Sequence, residues 1–353
     1  MGQALADHTT LRLGGAADQW LTHTDPATWH DIVRAVPEPP LVLGGGSNLL
    51  ADDAGYPGPV ICIATRGITT HRFGDGTMEI TAQAGEQLAD VVAYSVSEGL
   101  SGIECLGGIP GTIGAAPVQN AGAYGQQIAD HLVAVTAWDW RSGCSVRLTP
   151  DACAFRYRTS VFKQQPRRWT LLSVTLCLER SDRSAPVTYG YLAQALDVEI
   201  DARPPLAETA AGVIADRAAR GLLLPDGGPD ARQVGSVFMN PPVTWEQARK
   251  LQQAGGRVFR DSDDVTRAGA GWLLEHCGYR PGQRVEQGVY CSTRRTLTVT
   301  ARNGATCASY RHALFQMAER VWEVTGIRLE PEPVQPTAPS TGPGERANTA
   351  PAL

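Results

Sequence analysis

The sequence predicts a mixed α+β protein built from more than one domain. Three observations carry this reading. The chain has 353 residues, against about 150 per domain. Two glycine-rich segments lie between strand-like runs. The alternating pattern gives way at Asp201-Ala202-Arg203-Pro204-Pro205 to an Ala-rich helical one.

Taken in order, Leu41-Val42-Leu43 and Val60-Ile61-Cys62-Ile63 read as strands flanking the turn Gly44-Gly45-Gly46-Ser47-Asn48. Alternation over 78–84 gives another strand. A helix over 87–100 follows, with Leu88, Val91, Val92, Ser95 and Val96 on one side and Gly99 at its C-terminal end. Strands are expected at 133–138 and 169–178, the second buried on both faces. Past the composition change, helices are expected at 207–220, 244–254, 265–277 and 309–325, with a strand at 295–300. In the last helix Tyr310, Leu314, Met317, Val321 and Val324 form one apolar stripe, and Gly326 closes it. From Pro336 onward the Pro-, Ser-, Thr- and Gly-rich chain has too little apolar surface to offset its ordering entropy. Disorder is expected there.

Composition removes several classes of function. Basic and acidic residues number 31 and 36, a net charge of −5, so no broad field favours nucleic acid or anionic lipid. The longest uncharged run, 105–129, holds six Gly and two Pro, which excludes a membrane-spanning helix. Lys163 and Lys250 are the only lysines, and neither sits in a glycine-rich phosphate loop, so there is no Walker A motif. The eight cysteines form no C-x-x-C pair and read as reduced, mostly buried thiols, with neither zinc nor a redox dithiol indicated. The first residues lack a basic segment followed by an apolar one, so a cytoplasmic protein is expected.

Two segments are candidates for ligand binding. The run 44–48 offers closely spaced backbone N–H groups suited to phosphate oxygens, although a tight interstrand turn explains the same glycines. It lacks the third glycine of a Rossmann fingerprint, and no clear helix follows. The segment 102–125 is richer. Its glycines and alanines permit close approach to a flat, phosphate-bearing ligand, and Thr112, Gln119 and Asn120 add polar side chains. Ile103, Leu106, Ile109, Ile113 and Val118 demand a core, which argues against a free surface loop.

Within that segment, Glu104-Cys105-Leu106-Gly107-Gly108-Ile109-Pro110-Gly111-Thr112-Ile113-Gly114 and Pro117-Val118-Gln119-Asn120-Ala121-Gly122-Ala123-Tyr124-Gly125 resemble the flavin-binding signature of the MurB family, the UDP-N-acetylenolpyruvoylglucosamine reductases. Thr10-Leu11-Arg12-Leu13-Gly14-Gly15 resembles the family's opening strand, and 44–48 its first pyrophosphate loop. Tyr157-Arg158-Thr159-Ser160-Val161-Phe162-Lys163, Gly235-Ser236-Val237-Phe238-Met239-Asn240-Pro241, Ala270-Gly271-Trp272-Leu273-Leu274-Glu275 and Leu329-Glu330-Pro331-Glu332-Pro333-Val334 follow in the family's order. The likeness runs from about residue 8 to 335.

The resemblance implies an FAD-binding fold of the vanillyl-alcohol-oxidase type plus a separate α/β substrate-binding domain. The implied division is 1–66 joined by 327–335, then 67–204, then 205–326, with 336–353 as the disordered tail. It implies an NADPH-dependent FAD reductase of the long-loop type that acts on an enolpyruvyl UDP-sugar in peptidoglycan precursor synthesis. Neither nucleic acid nor a membrane is implied as a partner, and a monomer is favoured. FAD is expected to be noncovalent, since no histidine lies near 44–48.

The implied flavin contacts are Leu43, Gly44, Gly45, Gly46, Ser47, Asn48 and Leu49 from the first loop. Gly107, Ile109, Pro110, Gly111, Thr112, Gly114, Ala115, Gln119, Asn120, Gly122, Ala123 and Tyr124 come from the second. Arg158, Ser236 and Glu332 are the implied catalytic residues: a carboxylate-gripping fork, a proton donor and an acid, with Glu330 as the alternative acid. Tyr189, Arg220, Asn240 and Glu275 are the implied substrate contacts. Met239 stands where many relatives have Lys or Thr. Leu222-Leu223-Leu224-Pro225 lacks a lysine that many relatives direct at the diphosphate, for which Arg220 is the substitute. A different flavin oxidoreductase of this fold, or a homologue that binds without turnover, stays open at this level.

Overall fold

The computed structural model describes residues 2–337. Three sheets organise it. The first is parallel, with Tyr56–Ile63 between Ala17–His23 and Leu41–Leu43, and the helix Trp29–Ala35 lies on the path between the two outer strands. The second is antiparallel in the order Cys144–Leu148, Leu132–Asp139, Trp169–Arg180, Thr77–Gln83, Ile68–Arg72, and Leu100–Ser101 pairs with the end of the long strand. Its core packs Met78, Ile80, Val174 and Leu176 against Leu88, Val91 and Val92 of the helix Leu88–Ser97. The third is antiparallel in the order Gln233–Ser236, Thr298–Ala301, Val289–Cys291, Arg284–Glu286. The helices Cys307–Thr325 and Ala270–His276 contribute to its core.

The segment after the last helix ties the first sheet to the third. Glu332 N–H donates to the Val237 carbonyl at 2.9 Å and Met239 N–H to the Glu330 carbonyl at 3.0 Å. Val334 then exchanges backbone hydrogen bonds with the 48–50 segment, Val334 N–H to Asn48 O and Leu50 N–H to Val334 O, both 2.9 Å. One extended strap thereby touches both sides of the molecule's main cleft.

Several expectations need correction. Residues 10–15 form no strand: Arg12 N–H turns back to the Thr9 carbonyl, and Arg12 and Gly14 take φ of 53° and 113°. The opening strand is Ala17–His23 instead. The helix expected over 87–100 stops at Ser97, because Gly99 takes a left-handed φ of 67° and sends Leu100 into the second sheet. The helix expected over 265–277 is two elements. Thr266–Ala268 pairs with Val258–Arg260, and the helix begins only at Ala270, whose N–H is capped by the Asn240 side chain at 2.9 Å. The strand expected at 295–300 is Thr298–Ala301. In the last helix Tyr310, Leu314, Met317 and Val321 are buried, but Val324 is 44% exposed, so the apolar stripe packs only as far as Val321. The disorder expected over 336–353 falls, from 338 on, outside the described residues.

The glycine-rich segment 102–125 is a packed structure of short 3-10 turns, with Ile103, Leu106 and Ile113 fully buried. A Cβ at Gly114 would sit 2.5 Å from the Ala84 Cβ, so no larger residue fits this approach. Met317 in the third core is fully buried. Met317→Ala is expected to destabilise by about 2–5 kcal/mol, measured by denaturant unfolding.

Candidate active site

The loop 44–48 leaves the C-terminal end of a parallel strand, the side on which ligands of such sheets bind. It lies directly on the second glycine-rich segment. A Cβ at Gly45 would come 2.9 Å from the Gly111 Cα, and one at Gly44 would come 2.5 Å from the Thr112 hydroxyl. Ser47 Oγ donates to the Pro110 carbonyl at 3.0 Å, and Asn48 Nδ2 donates to Gln119 Oε1 at 2.7 Å and to the Glu332 carbonyl at 3.3 Å. The two loops and the C-terminal strap are therefore stitched into one cradle.

A cavity of about 200 Å³ runs along this cradle, lined by residues 43–49 together with Ile109, Pro110, Thr112, Ala115, Gln119 and Lys163. A larger, mostly apolar one of about 420 Å³ shares Gly44, Thr112 and Ala115 with it and is walled by Val42, Ile63, Phe162, Trp169 and Pro333. Small residues with dense backbone N–H groups, continuing into an apolar slot, fit a dinucleotide with a central diphosphate. Gly114 lines the apolar slot. Of the expected flavin contacts, Gly107, Gly111, Asn120, Gly122, Ala123 and Tyr124 line neither of these cavities. Gly111 sets the loop contact just described. Asn120, left-handed with φ 46° and buried, uses its amide internally on Gln127, Arg156 and Ala129.

A third cavity, of about 300 Å³, joins the cradle to the third sheet. Arg158, Ser236 and Glu332 all line it, as do Gly122, Ala123, Tyr124, Tyr189 and Arg220. Arg158 sits in a tight turn with φ 53°, its Nη1 and Nη2 donating to the Asn120 and Gly122 carbonyls at 3.2 and 2.8 Å. Its Nε lies 3.8 Å from Glu332 Oε1. Burial pushes the Glu332 carboxyl above the usual range, opposed by Arg158, Lys163 and Arg295. Glu330, two residues earlier, is exposed. Ser236 ends the strand Gln233–Ser236, next to the Val237 carbonyl that receives the Glu332 N–H.

At the mouth, Tyr189 packs edge-on to Tyr124 at 5.7 Å and accepts a hydrogen bond from Arg257 at 2.7 Å. Arg220 pairs with Asp216 at 3.1 Å, and the same carboxylate accepts from the Tyr124 hydroxyl at 2.7 Å. Asn240 and Glu275 do not line the cleft. The Asn240 side chain is engaged with Tyr157 and the start of the Ala270–His276 helix, and Glu275 is an exposed residue bonded to Thr296.

Sequence reasoning missed the two charged cleft residues Arg217 and Arg295. Arg217 is buried, and its Nη2 donates to the Gly108 and Leu222 carbonyls, both at 3.2 Å. Its Nε is buried with no hydrogen-bond partner among the described residues. A signal existed: 217 continues the buried stripe of Thr209 and Val213 at intervals of four residues, so an arginine there had to be buried. Arg295 has no such periodicity to mark it. Burial, with repulsion from Arg220 and Arg217, brings its guanidinium down to about 10.

A diphosphate-fitting cradle opening onto a cleft with an acid, a hydroxyl and several arginines defines a flavin-dependent oxidoreductase with its own substrate domain. Comparison with known proteins agrees. Residues 24–149 match the FAD binding domain, and 228–335 match the UDP-N-acetylenolpyruvoylglucosamine reductase C-terminal domain. The UDP-N-acetylenolpyruvoylglucosamine reductase of Salinispora arenicola is 38% identical over 343 residues, covering 94% of this chain and 93% of that one. The one from Saccharopolyspora erythraea is 40% identical over 346 residues, covering 94% of each. The crystal structure of the reductase MurB from Thermus caldophilus has the same fold, with a TM-score of 0.63 at 24% identity over 95% of this chain and 98% of that one. The chain belongs to the UDP-N-acetylenolpyruvoylglucosamine reductase family. Among the described residues no helix is long and apolar enough to cross a membrane.

Proposed function

We propose that this cleft carries out the NADPH-dependent reduction of UDP-N-acetylenolpyruvoylglucosamine to UDP-N-acetylmuramate, a peptidoglycan precursor, with FAD held noncovalently in the cradle. A cytoplasmic setting follows from the two substrates, a nucleotide-activated sugar and NADPH. The observation that carries the reading is the convergence of Arg158, Ser236 and Glu332 on one cavity that opens from the cradle.

FAD held by the 44–48 and 109–115 loops would supply two-electron hydride chemistry between NADPH and the enolpyruvyl alkene, whose terminal carbon is the one reduced. The chain's residues handle the charge and the proton. Reduction at that carbon builds negative charge on the carboxylate side of the substrate. Arg158 offers a fixed cation there, and its fork is held by the two backbone carbonyls before substrate arrives. Glu332, its carboxyl biased toward the protonated form by burial, shares the developing charge as an acid. Ser236 delivers the proton to the adjacent carbon, which completes the addition of two hydrogens.

The nucleotide half is read by charge. Arg217, Arg220 and Arg295 line the cleft with Asp216 as the acid paired to Arg220, an excess of positive charge suited to a diphosphate. Arg295→Gln is expected to raise the KM for the UDP-sugar about 10–100-fold, the range for losing a hydrogen bond to a charged group, with FAD content unchanged. Steady-state kinetics on the purified holoenzyme checks it. The function itself is tested by incubating the protein with NADPH and the enolpyruvyl sugar and following products by mass spectrometry. One UDP-N-acetylmuramate per NADPH consumed is the expected result; NADPH consumption without that product would sink the reading.

A further inference from the structure

Arginine fills 29 of the 31 basic positions, and the two lysines are used differently. Lys250 is an exposed helix residue paired with Glu246. Lys163 lies in the short helix Val161–Gln164, lines both cradle cavities, and shares the larger of them with Glu332. Its ammonium donates to the Arg158 carbonyl at 3.1 Å. That carbonyl belongs to a left-handed residue, φ 53°, in a turn closed by hydrogen bonds between Arg156 and Thr159, a conformation that costs a non-glycine residue about 1 kcal/mol or more. An ammonium is compact and carries its three donors on a flexible stem, so it can hold a peptide carbonyl and face a carboxylate from one position. A planar guanidinium does this less readily.

We propose that Lys163 is a positioning residue for the reduction described above, its ammonium anchoring the peptide that aims Arg158 while balancing the charge of the Glu332 carboxylate. The inference rests on the functional reading of the preceding subsection. The groups facing Glu332 are Arg158 from the 156–159 turn, Lys163 from the short helix and Arg295 from the segment before Thr298–Ala301; Glu330 acts on Lys163 from the strap itself. All three cations favour the ionised carboxyl. Removing one of them raises the pH at which Glu332 gives up its proton, so an activity that needs the protonated acid extends to higher pH.

Two substitutions separate the charge from the hydrogen bond. Lys163→Gln keeps a donor for the Arg158 carbonyl and removes the charge; Lys163→Arg keeps the charge. In the FAD-loaded proteins, the infrared band of the protonated Glu332 carboxyl, identified by its absence from Glu332→Gln, is titrated with pH. The alkaline limb of the sugar-dependent step is measured alongside it. Lys163→Gln is expected to shift both band and limb upward by at least half a pH unit, and Lys163→Arg to return both to the wild-type position. A band and limb in Lys163→Gln that coincide with wild type overturn the proposal, whatever the rate does. Wild type lacking any sugar-dependent step would instead overturn the functional reading, while the infrared titration would still report on Lys163.

Discussion

Ser236→Ala is expected to leave the NADPH-driven bleaching of the bound flavin at its wild-type rate and to slow the return of colour on adding the enolpyruvyl sugar by about 10²–10⁴-fold, the usual worth of a positioned proton donor. The asymmetry follows from where the hydroxyl sits. Ser236 lines the cleft on the third-sheet side, at the end of Gln233–Ser236, and is absent from both cradle cavities. Removing one oxygen from a half-buried strand end leaves the 237–332 backbone hydrogen bond in place, so the strap and the flavin content are expected to survive. Stopped-flow absorbance of each half-reaction measures both rates. Equal slowing of the two halves would assign Ser236 to the architecture of the cleft.

Arg158→Met is expected to cost stability as well as rate, because Arg158 serves three contacts at once. Its Nη groups satisfy the Asn120 and Gly122 carbonyls, and its Nε faces Glu332 at 3.8 Å. Without it the developing charge on the substrate loses a preorganised donor, an effect of about 10²–10³-fold on kcat. The abandoned carbonyls and carboxylate are expected to lower unfolding stability by about 1–3 kcal/mol. Arg158→Lys restores a charge but not the planar fork, so its stability is expected to recover further than its kcat. Chemical denaturation and steady-state kinetics on the three proteins check this order. Equal kcat in Arg158→Lys and wild type would show that charge alone suffices.

Local pattern accounts for the parts of the fold that were legible beforehand. The helix Leu206–Ala219 was marked by its Ala-rich composition and the Pro pair before it, Cys307–Thr325 carries an apolar stripe at helical spacing, and the strand Trp169–Arg180 alternates between two largely buried faces. Tertiary pairing decided the parts that were misread. Thr266–Ala268 has a helix-compatible sequence but is held extended by Val258–Arg260 and by the Pro241 carbonyl, which accepts from Ala268 N–H at 3.0 Å. Residues 10–15 look like a strand until the left-handed Arg12 and Gly14 are seen.

The candidate site divides along the same line. The cradle was legible because backbone approach demands glycine, and glycine is visible in a sequence. Asn240 and Glu275 illustrate the opposite case: their amide and carboxyl are engaged outside the cleft, in contacts no spacing reveals. Arg295 enters the cleft through a turn before Thr298–Ala301, and nothing in its sequence neighbourhood distinguishes it from Arg294. Alternation does not separate Glu330 from Glu332, since residues two apart share a face of an extended segment; the structure separates them by placing Glu332 in the cleft lining and leaving Glu330 exposed.

The central claim is that one cleft takes electrons from NADPH and passes them to an enolpyruvyl UDP-sugar. Anaerobic mixing of the purified holoenzyme, followed by flavin absorbance, tests it most directly. Bleaching on addition of NADPH, with colour returning only when UDP-N-acetylenolpyruvoylglucosamine is added, is the result predicted. Bleaching that persists in the presence of the sugar would contradict the account.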